Sequence, residues 1–218
     1  MNPLDSIELI VLATTKVGDN SLVVHTLSDQ WGRRGFLVHV GRKGGTAAFL
    51  PLSILEATVV PNPKSELWSL RGIQVLEALP GIRSNMYKNS ISLFMAEVLF
   101  RTLQEGASEQ GLYDWCVGSI LTLEAIRSDF SNYHLRFLLE LAIALGFRHS
   151  KQDLLPFAGD SAPLLDAFLK ADLPATLLIP LSGDQRSSLC QVLLRYLEFH
   201  TEQPIRIRSL AVLHELFR

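Results

Sequence analysis

The hydrophobic period of this chain changes once, and the position of that change limits what it can fold into. Up to about residue 80, apolar residues come in short runs rich in Val, Ile and Thr, broken by Gly, Asn and Pro. From about residue 83 they recur three and four apart, as in Ile91, Phe94, Met95, Val98 and Leu99, with Lys88, Glu97 and Arg101 elsewhere on the wheel. The first pattern sends alternate side chains to opposite faces of strands, and the second lines one face of a helix. Pro80-Gly81 marks the switch. The expected class is therefore α+β, with a strand domain over residues 1–80 and an all-helical domain over 81–218.

Five strands are expected, over 7–15, 21–27, 35–40, 54–60 and a ragged 67–79. Gly18-Asp19-Asn20 and residues 29–32 supply turn residues that tolerate positive φ, so the first three strands read as an antiparallel meander. Five short strands avoid open edges most economically by closing into a barrel, and the oligonucleotide-binding (OB) fold is the commonest five-stranded one. Further helices are expected over 111–127, 132–145, 163–171, 184–201 and 208–217, with a capping box at Ser182 and Gln185 and a stop at Gly146. The stretch LRFLLELAIALGF is apolar almost all round, so it should be the central buried helix, its Arg136 and Glu140 satisfying each other or a neighbour's backbone.

The chain has 20 Lys and Arg against 22 Asp and Glu, a formal charge of -2, so nucleic acid could be held only by a local patch. One stretch offers such a patch. QWGRRGFLVHVGRKGG, residues 30–45, carries four Lys and Arg and five glycines, and no acidic residue occurs between Asp29 and Glu56. If Phe36, Val38 and Val40 face the core, Arg33, Leu37 and His39 face outward, and Gly41 opens a loop carrying Arg42 and Lys43. Cations for phosphates, glycines for close backbone approach and a ring such as Trp31 or His39 for stacking suit a single strand. The alternatives are a solvated edge strand protected by its charges and a Trp31 that serves the core or a turn.

Several chemistries lack a motif. GRKGG joins strand to strand and is not the strand-to-helix P-loop. The six histidines form no H-x-H or H-x-x-x-H pair, and Cys116 and Cys190 read as reduced core thiols, so no metal is expected. Asp129, Ser131 and His134 lie close in sequence but lack a nucleophile turn; Ser131 or Asn132 capping a helix with His134 in its first turn is the simpler reading. With no close carboxylate pair either, the chain is not expected to be an enzyme. The apolar run over 7–13 contains Glu8 and follows Asp5, unlike a secretory signal, and no stretch reaches the roughly 18 apolar residues of a membrane span. A soluble, cytoplasmic protein without a membrane partner is expected.

The segment IVLATTKVGDNSLVVHTLSDQWGRRGFLVHVGRKGG, with FLPLSILEATVV and the ending RSLAVLHELF, resembles the RecO family of bacterial recombination mediators. NMYKNSISLFMAEVLFRTL and DFSNYHLRFLLELAIALGF resemble its Bacteroidetes-type version, so the resemblance covers the whole chain. It implies an N-terminal OB barrel and a helical domain, with no covalent chemistry and no cofactor. It also implies a protein that binds single- and double-stranded DNA, anneals complementary strands and helps load RecA. The implied partners are DNA, RecR and the acidic C-terminal tail of single-stranded DNA-binding protein, and the implied place of action is the nucleoid. On this reading Arg33, Arg34, Arg42 and Lys43, helped by Lys16, contact phosphate, with His39 beside them. Many family members carry a four-cysteine zinc knuckle in the helical half; this chain has two cysteines, so no zinc is expected. The family's tail pocket lies in the helical domain, where Arg83, Lys88, Arg101 and Arg127 are the candidate rim cations. The competing reading is an adaptor that binds RecR or the tail without useful DNA binding of its own.

Overall fold

A computed structural model of the chain describes residues 6–40, 46–107 and 109–217. The chain forms two compact units. One comprises the chain up to Pro80 with Leu103–Gly118, and the other comprises Gly81–Thr102 with the chain from Ser119 onward.

The first unit is a closed barrel of β1 (Ser6–Lys16), β2 (Ser21–Ser28), β3 (Gly32–His39), β4 (Ile54–Val60) and β5 (Trp68–Val75) in the order β1-β2-β3-β5-β4. The turns into β2 and β3 use Gly18 at φ +68 and Gly32 at φ +56, conformations that a side chain would strain. β1–β2, β2–β3, β1–β4 and β4–β5 pair antiparallel, and a short parallel ladder, Phe36 opposite Trp68 and Leu37 opposite Ser69, closes the barrel between β3 and β5. That order with a parallel closing pair is the OB architecture expected from the sequence. Ile7, Leu9, Val11, Val24, Phe36, Val38, Leu55, Ala57, Val59 and Leu70 fill the interior, joined by Phe49 from a 3-10 turn at Thr46–Phe49. Each of the larger side chains contributes about 2 kcal/mol by leaving water.

Not every outward position of the barrel is wet. Ile10, Leu27 and Ile54 lie in one cross-strand row on the outer face, and each is at most 2% exposed. Leu103–Gly118 runs along this side: the Gly106 amide donates to the Arg33 carbonyl at 2.9 Å, and the Tyr113 hydroxyl donates to Glu8 Oε2 at 3.3 Å. Burial, with the Glu8 charge beside it, pushes the Tyr113 phenol well above its ordinary pKa.

The second unit is helical: α1 (Pro80–Ser84), α2 (Met86–Thr102), the end of α3 (Leu112–Ala125), α4 (Tyr133–Ala144), α5 (Lys151–Ala158), α6 (Ala162–Lys170), α7 (Leu173–Leu178), α8 (Gly183–Thr201) and α9 (Ser209–Leu216). α4 is the buried centre, with Leu135, Phe137, Leu138, Leu141 and Ala142 at most 1% exposed, and it packs on α2, α7 and α8. It stops at Gly146, φ +84, where the Gly146 and Phe147 amides return to the carbonyls of Ile143 and Ala142. Arg136 meets both of its expected partners, Glu140 at 2.6 Å and the Ala171 carbonyl at 2.7 Å. The capping box at Ser182 and Gln185 forms, and an unforeseen one at Ser150 and Asp153 starts α5. Cys116 and Cys190 are free, buried thiols.

Three polar side chains lock the helices together. Glu97 lies on α2, yet its carboxylate accepts from the Arg208 amide and the Ser209 amide at 2.9 Å and from the Ser209 hydroxyl at 2.6 Å, capping α9 from a distance. Burial alone would raise its pKa, but these bonds hold it below the usual glutamate value. Glu124 does the same for α1, accepting from the Gly81 and Ile82 amides at 2.6 and 2.7 Å. The expectation that Asn132 caps α4 through its side chain is corrected: Asn132 is 1% exposed and donates instead to the carbonyls of Thr176 and Ile179 while accepting from Arg186 Nε. A buried amide with three long-range partners is worth more there than at the helix end it flanks. No triad forms nearby, because His134 is 2% exposed and packed between the Phe94 and Phe217 rings, 5.7 and 6.4 Å away.

Glu97→Ala is expected to lower the free energy of unfolding by about 2 kcal/mol in urea titration, with Glu97→Gln losing less because it keeps an acceptor. Burial, followed by the Arg186 charge, lowers the His134 pKa to about 3. Between that value and about 6.5 the unfolded chain therefore binds a proton that the folded chain does not. Stability should fall as pH drops through this window, by up to about 1.4 kcal/mol per unit, and thermal melts of His134→Phe should fall less steeply.

Candidate nucleic-acid interface

OB barrels that hold oligonucleotides use the β2–β3 face and the loops between β1 and β2 and between β4 and β5. In this chain those loops are residues 17–20 and 61–67. Among the described residues, the expected cations do not form one cluster on that face. At one end, Ser21 pairs with His39 and the Val40 amide donates to the Asn20 carbonyl, with exposed Lys16 beside them opposite Leu22. His39 Nδ1 lies 2.9 Å from Ser21 Oγ. β3 leaves this end toward residues 41–45, and Arg42 and Lys43 lie outside the described residues. Arg33 and Arg34 sit at the other end of β3; Arg34 is five residues from His39, about 17 Å at the rise of a strand.

Adjacent residues on a strand face opposite ways, and Arg33 and Arg34 have correspondingly different surroundings. Arg33 lies opposite Leu27 on the outer face, with a side chain only 17% exposed, and its guanidinium is 3.8 Å from the more open Glu105 carboxylate. The backbone forms a parallel bridge between the same two residues. Arg34 lies opposite Thr26, whose hydroxyl donates to the Arg34 carbonyl. Its guanidinium sits 4.0 Å over the Trp68 ring, and Nη2 donates to the Glu66 carbonyl at 3.1 Å. Trp68 meets Trp31 edge-on at 5.7 Å, and Trp31 meets Phe36 at 5.9 Å. Trp31 is thus packed against the barrel core, with its amide held by Ser28 Oγ. Nearby on β2, burial followed by the Arg33 charge lowers the His25 pKa.

Sequence reading missed four residues here. Trp68 and Glu105 are far from Arg33 and Arg34 in sequence, and nothing local marks them. Exposed Lys64 in the loop 61–67 and exposed Arg71 on β5 could have been found by asking which cations fall on the barrel's loops and closing strand.

Of the helical candidates, Arg101 and Arg127 are exposed, whereas Lys88 is 5% exposed and its Nζ donates to the Glu124 carbonyl at 2.9 Å. Arg83 is half-buried, and burial lowers its pKa against the opposing pull of Glu124. Arg101 lies 13 residues along α2 from Lys88, about 20 Å at helical rise, so the four do not form one rim. A small cavity lined by His134, Arg186, Leu213, His214 and Phe217 is too small for a peptide. Among the described residues no three His, Cys, Asp or Glu side chains are grouped to hold a metal ion, and no helix is long and apolar enough to cross a membrane.

No protein-family model matches the chain. Curated relatives do. The chain is 30% identical over 217 residues to the DNA repair protein RecO of Bacteroides fragilis, covering 96% of this chain and 89% of that one. It is 29% identical over 233 residues to DNA repair protein RecO of Phocaeicola vulgatus, covering 95% and 97%. The RecO protein of Christiangramia forsetii is 27% identical over 234 residues, with the same coverage. An end-to-end likeness at this level, carried by a closed OB barrel followed by helices, places the chain in the RecO family of DNA repair proteins.

Proposed function

We propose that this protein is a recombination mediator without covalent chemistry. Its barrel binds single- and double-stranded DNA and anneals complementary strands; with RecR, the protein helps load RecA on DNA covered by single-stranded DNA-binding protein. The observation that carries the reading is the end-to-end likeness to DNA repair RecO proteins on a chain whose barrel has the OB strand order. Its phosphate contacts are Lys16 and, from the basic stretch of the sequence, Arg42 and Lys43, with His39 beside Lys16's end of the β2–β3 ladder; the pairing of Lys16 with Leu22 and of His39 with Ser21 supports this reading. Arg34, Lys64 and Arg71 extend the path toward β5, whereas Arg33 chiefly holds the Glu105 segment against β3. In the helical unit, exposed Arg101 and Arg127 are the better placed of the four candidates to meet an acidic tail, because Lys88 is buried under Glu124.

Fluorescence anisotropy of labelled single-stranded DNA, titrated from low to moderate salt, tests the assignment. Wild-type affinity should fall steeply with salt, and the Lys16→Ala, Arg42→Ala, Lys43→Ala triple variant should bind more weakly with a log–log slope shallower by about 2. An Arg101→Ala, Arg127→Ala variant should bind DNA as the wild type does. Equal binding by wild type and triple variant would remove these residues from the DNA surface. Background DNA binding with retained RecR binding would make the protein an adaptor.

A further inference from the structure

We propose that Arg34 is a stacking platform for one unstacked nucleobase, so that the barrel mouth distinguishes single-stranded from duplex DNA. The inference rests on the DNA-binding reading above and assigns Arg34 a contact that a phosphate-binding cation does not make.

The Arg34 guanidinium is fixed from beneath and from one edge. Its Cζ lies over the Trp68 ring, 4.0 Å from the centroid, and Nη2 donates to the Glu66 carbonyl. The indole beneath is fixed in turn, because Trp68 pairs with Phe36 in the closing ladder and meets Trp31 edge-on. Trp31 packs on Phe36, which is fully buried in the barrel core. The plane of Arg34 is thereby anchored to the barrel interior through two rings, and little side-chain freedom remains to be lost when a ligand binds.

Charge neutralisation differs between the two neighbouring arginines. Arg33 has Glu105 within ion-pair distance, whereas among the described residues no carboxylate forms a salt bridge with Arg34. A partly exposed, planar cation set over an aromatic ring, with no carboxylate in a salt bridge to it among the described residues, suits a base stacked on its other face. Its remaining N–H donors can reach that nucleotide's phosphate. Exposed Lys64, in the loop that Arg34 anchors through Glu66, supplies a cation for the neighbouring phosphate. In a duplex the bases are already stacked on each other, so only a single strand can present one.

The test compares a fluorescein-labelled dT oligonucleotide with one of equal length made of abasic sites, bound to the full chain at fixed low salt. The wild type should prefer dT by roughly tenfold. Arg34→Lys keeps the charge but not the plane, so it should lose most of that preference while its salt slope stays unchanged. Thermal melting checks that the variant folds; should it melt early, Arg34→Gln replaces it, since a flat uncharged amide should retain part of the dT preference and lose some salt slope. A wild type without preference, an Arg34→Lys variant that keeps it, or a folded Arg34→Gln that loses it entirely overturns the stacking role while leaving DNA binding in place. Absence of binding to either oligonucleotide overturns both this inference and the reading on which it rests.

Discussion

The short parallel ladder between β3 and β5 is the contact on which the rest of the barrel depends. Two residue pairs, Phe36 with Trp68 and Leu37 with Ser69, join the two edge strands of a five-stranded antiparallel sheet, β3 and β5, into a closed surface. Closure removes the exposed edge on which another chain could pair, and it seals Phe36 and Leu70 into the interior. It also brings Trp68 beside Phe36, and that position places the indole 4.0 Å from the Arg34 guanidinium carbon. One packing constraint thus connects the stability of the barrel to the chemistry at its mouth.

The two arginines at the start of β3 show how strand geometry divides a charged sequence. In sequence they are one dipeptide in a basic stretch. In the barrel, pleating turns Arg33 outward, where the Glu105 carboxylate and the Gly106 amide hold the chain beyond α2 against it, while Arg34 is turned onto the aromatic cluster. Arg33 therefore acts within the fold, whereas among the described residues no carboxylate forms a salt bridge with Arg34. Neighbours in a basic stretch of a nearly neutral protein thus come to have different surroundings, and Arg34 lies about 17 Å along β3 from His39.

Much of this architecture was legible because it follows from period and punctuation. The change from alternation to three- and four-residue spacing located the strands and long helices, β4 falls on residues 54–60 as expected, and Ser182 with Gln185 marked the start of α8. Short elements were harder: α5 and α7 carry too few apolar residues to show a period, although Ser150 and Asp153 were a readable cap for the first. The site was less legible for a physical reason. Pleating alone predicts opposite faces for Arg33 and Arg34, but their partners Glu105 and Trp68 come from segments 72 and 34 residues away, and no local pattern announces such contacts. Asn132 misled similarly, since a residue suited to capping has three partners supplied by distant helices.

The central claim is that DNA is gripped by the barrel. Photocrosslinking the protein to single-stranded DNA containing 4-thiothymidine, followed by peptide mapping, addresses it most directly. Crosslinks are expected in residues 16–20, 31–43 and 61–74, the two loops and the strands that flank them. Crosslinks confined to residues 119–217 would contradict it, placing the DNA on the helical unit and leaving the barrel a structural or protein-docking role.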